Sequence, residues 1–475
     1  MLLQAIFVLI SLALYVLSPQ QYSFGLCLTC GILYLLNIIY YYYKHKKKNF
    51  FDFDTIFSIS FFITFFIYPI LLFPINPEYF AAFSFGFNEN TVTKATSLSL
   101  VGYSSYILGR CYNTSINKEK SQNIGIVHVK DKFKLTSFIY YILLLTFILL
   151  GGLSQLQALY NNTIAAENPI VNYFAAILLP IVTIAIVLQT FYIKQSKRTL
   201  KSVSKIFFIT LIATLLLFLS TGSRTLPLAI ALIILWIFTY YYYNLSLLKV
   251  FTIILCGCLI LSLVGLLRID ESTDNLKFVD IFMDLIINNR NTFLAIELVD
   301  ENGITYGKSL LAYILRAIPF LSGIVHSLFN LSTIETSSSY LFTYETFGSD
   351  LTIGVGSNII ADLYLAFGVT GVIIFMLLLG MFIKFLEREV EYNNVLAILT
   401  YAIMMSQSVF LTRSEYFFPL NIIVLSLFSY VLISNITKIF INETNLIGLH
   451  NLREHNSERR NRKSNIQSHT IIRNT

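Results

Sequence analysis

Apolar residues fall along this chain in twelve long runs, at residues 2–17, 22–43, 55–73, 95–109, 136–150, 173–193, 206–221, 225–243, 250–267, 358–383, 395–411 and 419–440. Crossing about 30 Å of hydrocarbon takes roughly 20 apolar residues, and over runs this apolar only a helix satisfies its own backbone hydrogen bonds. The pattern predicts an all-α polytopic membrane protein of about twelve transmembrane helices. The run at 95–109 is short and polar.

The polar stretches between the runs orient the bundle. Lys44, Lys46, Lys47 and Lys48 follow the second run; Arg110, Lys118, Lys120, Lys130, Lys132 and Lys134 follow the fourth; Lys194, Lys197, Arg198, Lys201 and Lys205 follow the sixth. Basic loops stay on the cytoplasmic side. Alternating from a cytoplasmic start puts every strongly basic loop inside, with both termini cytoplasmic. Residues 1–17 lack the basic leader and small-residue cleavage site of a secretory signal, so they read as the first helix. A membrane domain of residues 1–440 is expected, followed by a basic tail at 441–475, rich in Asn and Ser, that reads as disordered. One outer segment, about 268–357, is long enough for amphipathic helices and too short for an independent enzyme domain, so it must pack onto the bundle.

Composition agrees: 56% hydrophobic and 12% charged residues, with mean hydropathy +0.70, lie beyond the soluble globular range. The formal charge of +7 is dispersed among loops facing the membrane surface, which points to lipid rather than nucleic acid. Five cysteines make no disulfide framework, and Cys27 and Cys30 lie inside an apolar helix as small hydrophobes.

Charges on the outer side are few, and the positive-inside rule does not account for them. Arg224 lies in the turn LSTGSRTLP; Arg268, Arg290 and Arg316 lie in the long segment; Arg413 lies in FLTRSEYFFP. Arginine near hydrocarbon faces the protein interior or a polar ligand, and its planar fork suits phosphate oxygens. Converging above the bundle, Arg224, Arg290, Arg316 and Arg413 would seat a lipid-linked pyrophosphate; the alternative is pairing with nearby acids or headgroups. Acids on the same side supply candidate bases: Glu345, Asp350, Asp362 and Glu415. Asp362 stands one turn inside a span, where an ionisable group is a functional-site hypothesis with a buried ion pair to Arg224 or Arg413 as its rival. Gly348, Gly354 and Gly356 precede it.

Metal chemistry has little support: His326 is the only outer histidine, and no metal or other cofactor is expected. Asp52-Phe53-Asp54 mimics a sugar-transferase DxD but reads as helix N-terminal acid. The tyrosine runs 40–43 and 240–243 read as interfacial belts.

Four local patterns, in this order and topology, resemble the bacterial O-antigen or oligosaccharide repeat-unit polymerases (Wzy-type), including the enterobacterial common antigen polymerase. They are the TGSR turn between helices around Arg224; FMDLIINNRNTFLAIELV around Arg290; LRAIPFLSG through Arg316; and SSSYLFTYETFGSDLTIGVGSNIIADLYLAFGVTG with TRSEYFF beyond. The likeness covers about residues 50–440. It implies a GT-C-like helical bundle in the bacterial inner membrane that polymerises undecaprenyl-pyrophosphate-linked repeats at the periplasmic face, as a metal-independent glycosyltransferase serving O-antigen, common antigen or capsule. A chain-length regulator and a flippase would be its partners. No second arginine-centred loop repeats the long segment's spacing, so a two-site shuttle has no support. Rival readings are an O-antigen ligase, which would centre its outer loop on a catalytic histidine, a repeat-unit flippase or transporter, which would line its spans with charge, and a structural scaffold, which would leave the outer arginines unexplained.

Overall fold

The computed structural model describes residues 2–112, 128–160, 169–195, 204–221, 223–266, 282–318, 320–348 and 354–441. Arg268, Asp350 and the basic tail lie outside them.

Among the described residues there are helices and no strands. The longer helices are α1 Leu2–Val16, α2 Phe24–Lys44, α3 Phe53–Ile67, α4 Thr91–Arg110, α5 Val129–Leu149, α6 Pro169–Gln195, α7 Lys205–Ser220, α8 Thr225–Tyr241 and α9 Leu247–Leu266. Then follow α10 Arg290–Asn302, α11 Ser338–Phe347, α12 Ile359–Glu391, α13 Val395–Gln407 and α14 Phe418–Ile441. Every predicted apolar run falls on a helix. Six are long and apolar enough to cross a membrane, namely α2, α3 with its π-helical extension to Leu72, α5, α6, α12 and α14; α1, α7, α8 and α13 are shorter apolar helices, as is the Leu247–Gly257 part of α9. The chain is thus a multi-pass membrane protein with six spans of full length among the described residues.

The central pair is α4 and α12, with α1, α2 and α10 around α4, and α13 linking α12 to α8 and α6. Gly109 and Gly380 mark where α4 and α12 cross: a Cβ on Gly109 would lie 2.1 Å from the Leu377 carbonyl oxygen, and one on Gly380 would lie 2.1 Å from that of Tyr106. Small residues at such a crossing let two backbones touch. The centre also explains the polar composition of α4. Nearly every residue of it is buried in protein, so its side chains need partners rather than hydrocarbon. Thr96, Ser99 and Ser105 bond back to the carbonyls of Val92, Ala95 and Val101, and Ser104 accepts from Asn37 Nδ2 at 3.3 Å. Cys27 and Cys30 are fully buried in α2, as their apolar surroundings predict.

At one end of the bundle, Asp54 on α3 meets Arg110 on α4 at 2.7 Å, and Arg110 also meets Glu387 on α12 at 2.6 Å. Tyr41 and Tyr106 donate to the same Asp54 carboxylate. Tyr41 is therefore a buried network member rather than part of an aromatic belt, while Tyr43, Tyr242 and Tyr243 are exposed. Asp52 caps α3 by accepting from the Thr55 amide and pairs with Lys47 at 2.7 Å, the helix-terminal role its position predicts. Asp52, Asp54 and Glu387 bring ligand atoms within 4.8 Å of one another, with Lys47 and Arg110 already bound among them.

Candidate active site

The opposite end carries the long segment, and there α12 is broken. Gly368 has φ +65° and ψ −155°, so the first two turns of α12 form a separate half-helix. No residue with a Cβ readily takes that conformation. Breaking a helix frees carbonyls, which inside a membrane protein must find partners. Leu365 O accepts from the Thr305 amide at 2.9 Å and Ala366 O from the Gly307 amide at 3.2 Å. The other end of the half-helix is capped by Asn358, whose Oδ1 accepts from the Ile360 and Ala361 amides and whose Nδ2 donates to Asn288 O at 2.7 Å. Both ends are thereby tied to the long segment.

This half-helix holds Asp362, fully buried. Its Oδ2 accepts from the Tyr416 amide at 2.8 Å, Ser338 adjoins it, and Oδ1 is buried without a hydrogen-bond partner. Glu415, 2% exposed, stands close enough for the two carboxylates to repel. Glu415 Oε1 accepts from the Ser337 hydroxyl and the Ser339 amide at the start of α11, and its Oε2 is likewise buried without a partner. Burial raises the Glu415 carboxyl above its ordinary value against the opposing pull of these hydrogen bonds and of Arg316. Among the described residues neither acid has an ion-pair partner, so the predicted rival, an Asp362 pair with Arg224 or Arg413, does not form. Two buried carboxylates together, each with one open oxygen, can accept a proton but cannot readily both be charged.

Those two arginines meet elsewhere. Arg224 Nη2 lies 2.9 Å from Asp284 Oδ2, and Arg413 Nη1 lies 3.9 Å from the same oxygen and donates to Asp284 O at 3.2 Å. All three side chains are about one-third exposed, so that two guanidiniums gather around one carboxylate as an arginine rim. Arg290 does not join them. Its buried guanidinium donates to Phe85 O, Gly86 O and Thr346 Oγ1 at 2.9 to 3.2 Å, stapling the residue 85–86 turn and α11 to α10. Arg316 is exposed over the Tyr313 ring, at 5.4 Å, on the rim near Glu415. Glu345 is exposed on α11, six residues beyond Ser339 and so about 9 Å along the axis from the Glu415 cradle. His326 is held by Leu331 O at 3.0 Å and Thr336 Oγ1 at 3.5 Å.

Sequence reasoning did not single out Asp284, the serine cradle of Glu415, or Asn358. Polar residues in an outer segment signal nothing until the fold brings them to one place. It also missed an apolar cavity of about 670 Å³ between α12, α13 and α14. Leu378, Phe382, Met404, Leu420 and Ile423 line its length, and Tyr416 and Phe417, next to Glu415, line its end by the carboxylates.

A family model described as O-antigen polysaccharide polymerase Wzy matches residues 1–444. Neither a curated protein nor a solved structure matches the chain.

Proposed function

Since the chain belongs to the O-antigen polysaccharide polymerase Wzy family, whose members polymerise glycan repeats, we propose that the Asp362–Glu415 pair is the proton acceptor of a repeat-unit polymerase acting on undecaprenyl-pyrophosphate-linked donors. The topology in this reading is a twelve-span, GT-C-like bundle in the bacterial inner membrane with cytoplasmic termini and the carboxylate end periplasmic. A flippase would supply substrate and a chain-length regulator would set its extent.

The observation that carries the reading is a buried carboxylate pair with no ion-pair partner among the described residues, beside an arginine rim and at the end of an apolar cavity. An amphiphile with an anionic head matches that sequence of surfaces. The acceptor sugar's hydroxyl gives its proton to the open oxygen of Asp362, and its oxygen bonds to the anomeric carbon of the growing glycan. The bond from that carbon to the diphosphate oxygen breaks, and Arg224 and Arg413 take up the charge left on the diphosphate, with Arg316 at the rim. Arg290 positions α11, whose first residues cradle Glu415. The ligase reading is weakened because both ring nitrogens of His326 lie against partners within the fold.

Asp362→Asn tests the role, because it keeps the shape and removes the charge. The variant should reach the membrane at normal abundance and make no polymer, leaving surface glycan as single repeats. Normal-length polymer from Asp362→Asn would move the base elsewhere, with Glu415 next.

A further inference from the structure

We propose that the Phe320–Phe329 segment is an interfacial helix, lying in the lipid–water boundary at the carboxylate end of the bundle with its partner a phospholipid leaflet. The helix Leu321–Phe329 has no fully buried residue, yet its sides differ. Leu321, Ser322, Val325 and His326 are half-buried against the protein. The exposed remainder divides in two. Ile324 and Leu328, spaced by four, form one apolar stripe that is 53% and 71% exposed, flanked by the exposed rings of Phe320 at the N-cap and Phe329 at the last turn; Gly323 and Ser327 form a small, polar one. A helix whose exposed surface is itself amphipathic lies in a membrane interface, apolar stripe down.

Two further observations favour lipid over water or a protein. The stripe is preceded in the chain by exposed Ile314 and Ile318, whose neighbour Tyr313 packs edge-on against Phe418, the first residue of the membrane-length helix α14, at 5.5 Å. The segment therefore begins at the depth where a span meets the boundary. Arg316, exposed beside the segment over the Tyr313 ring, supplies a cation for anionic headgroups, whereas Lys308 is held away by its ion pair with Glu335. In water, the exposed aromatic rings of Phe320 and Phe329 would be an unrelieved apolar patch.

The experiment needs no knowledge of the reaction. Benzoylphenylalanine is placed singly at Ile324, Leu328 or Glu335 in the full chain, which is reconstituted in phosphatidylethanolamine–phosphatidylglycerol vesicles and illuminated. Ile324 and Leu328 should give phospholipid adducts and Glu335, exposed nearby, should give none. Adducts with protein alone at 324 and 328, or lipid labelling no stronger there than at 335, would overturn the proposal. A second measurement covers a variant that inserts poorly: a fluorophore on a cysteine at 328 should be quenched several-fold more by spin labels just below the headgroups than by iodide, and the reverse result would overturn the proposal as well.

Discussion

Asp362 was legible as a candidate because an ionisable residue inside a span is costly unless it works. Its partner was not. Glu415 lies 53 positions away, and only the fold brings the two together around the Tyr416 amide and the serines of α11. Glu415 then carries a pH signature. Its folded-state affinity for a proton is raised by burial, so the protonated form is favoured in the fold. That contribution is fully present below the ordinary glutamate value of about 4.3 and is lost as pH rises through the higher folded value. The unfolding temperature in detergent should therefore decline with rising pH over this window, and Glu415→Gln should flatten the decline; an unchanged slope would deny the effect. The arginines divide by the same reasoning. Arg224→Ala and Arg413→Ala should abolish polymer at normal abundance, with lysine a poor substitute for the fork. Arg290→Ala should instead lower abundance, because it removes the hydrogen bonds to Phe85 O, Gly86 O and Thr346 Oγ1 that tie α11 and the residue 85–86 turn to α10, at a cost of about 1–3 kcal/mol. Immunoblots beside glycan gels separate the outcomes.

At the scale of elements, the apolar pattern located the helices well and their interruptions badly. Hydropathy runs unbroken through LAFGVTGVIIF, so nothing in it announces that α12 breaks at Gly368. The cause is a backbone conformation rather than a change of polarity, and the Thr305 and Gly307 amides that stabilise the break come from a distant segment. Gly368→Ala should strain the break by about 1–3 kcal/mol and shift the half-helix that carries Asp362. Polymer yield should fall more than protein abundance; full polymer with normal abundance would show the break to be dispensable. The polar α4 illustrates the opposite difficulty. Its composition suggests a poor span because lipid is the assumed neighbour, whereas its actual neighbours are helices that supply hydrogen-bond partners and a glycine crossing. The reading of Tyr41 as belt failed for a related reason: a tyrosine at a helix end faces headgroups only if no buried carboxylate lies within reach.

The molecule as a whole is a lipid-embedded bundle polarised between two polar ends. One end closes on itself, with Arg110 bound to Asp54 and Glu387 and tying α3, α4 and α12 together. The other leaves two carboxylate oxygens without partners among the described residues, beside an arginine rim and an apolar cavity. In the proposed reading, stability and chemistry are separated by the length of α12. The most direct test of this division is to purify the full chain, reconstitute it in vesicles, and supply only synthetic lipid-diphosphate-linked repeats. A ladder of carrier-linked glycans should appear, with one lipid diphosphate released per new linkage, and it should vanish with Asp362→Asn. Repeats that cross the bilayer without being joined, or that are joined equally well by the Asp362→Asn protein, would contradict the account.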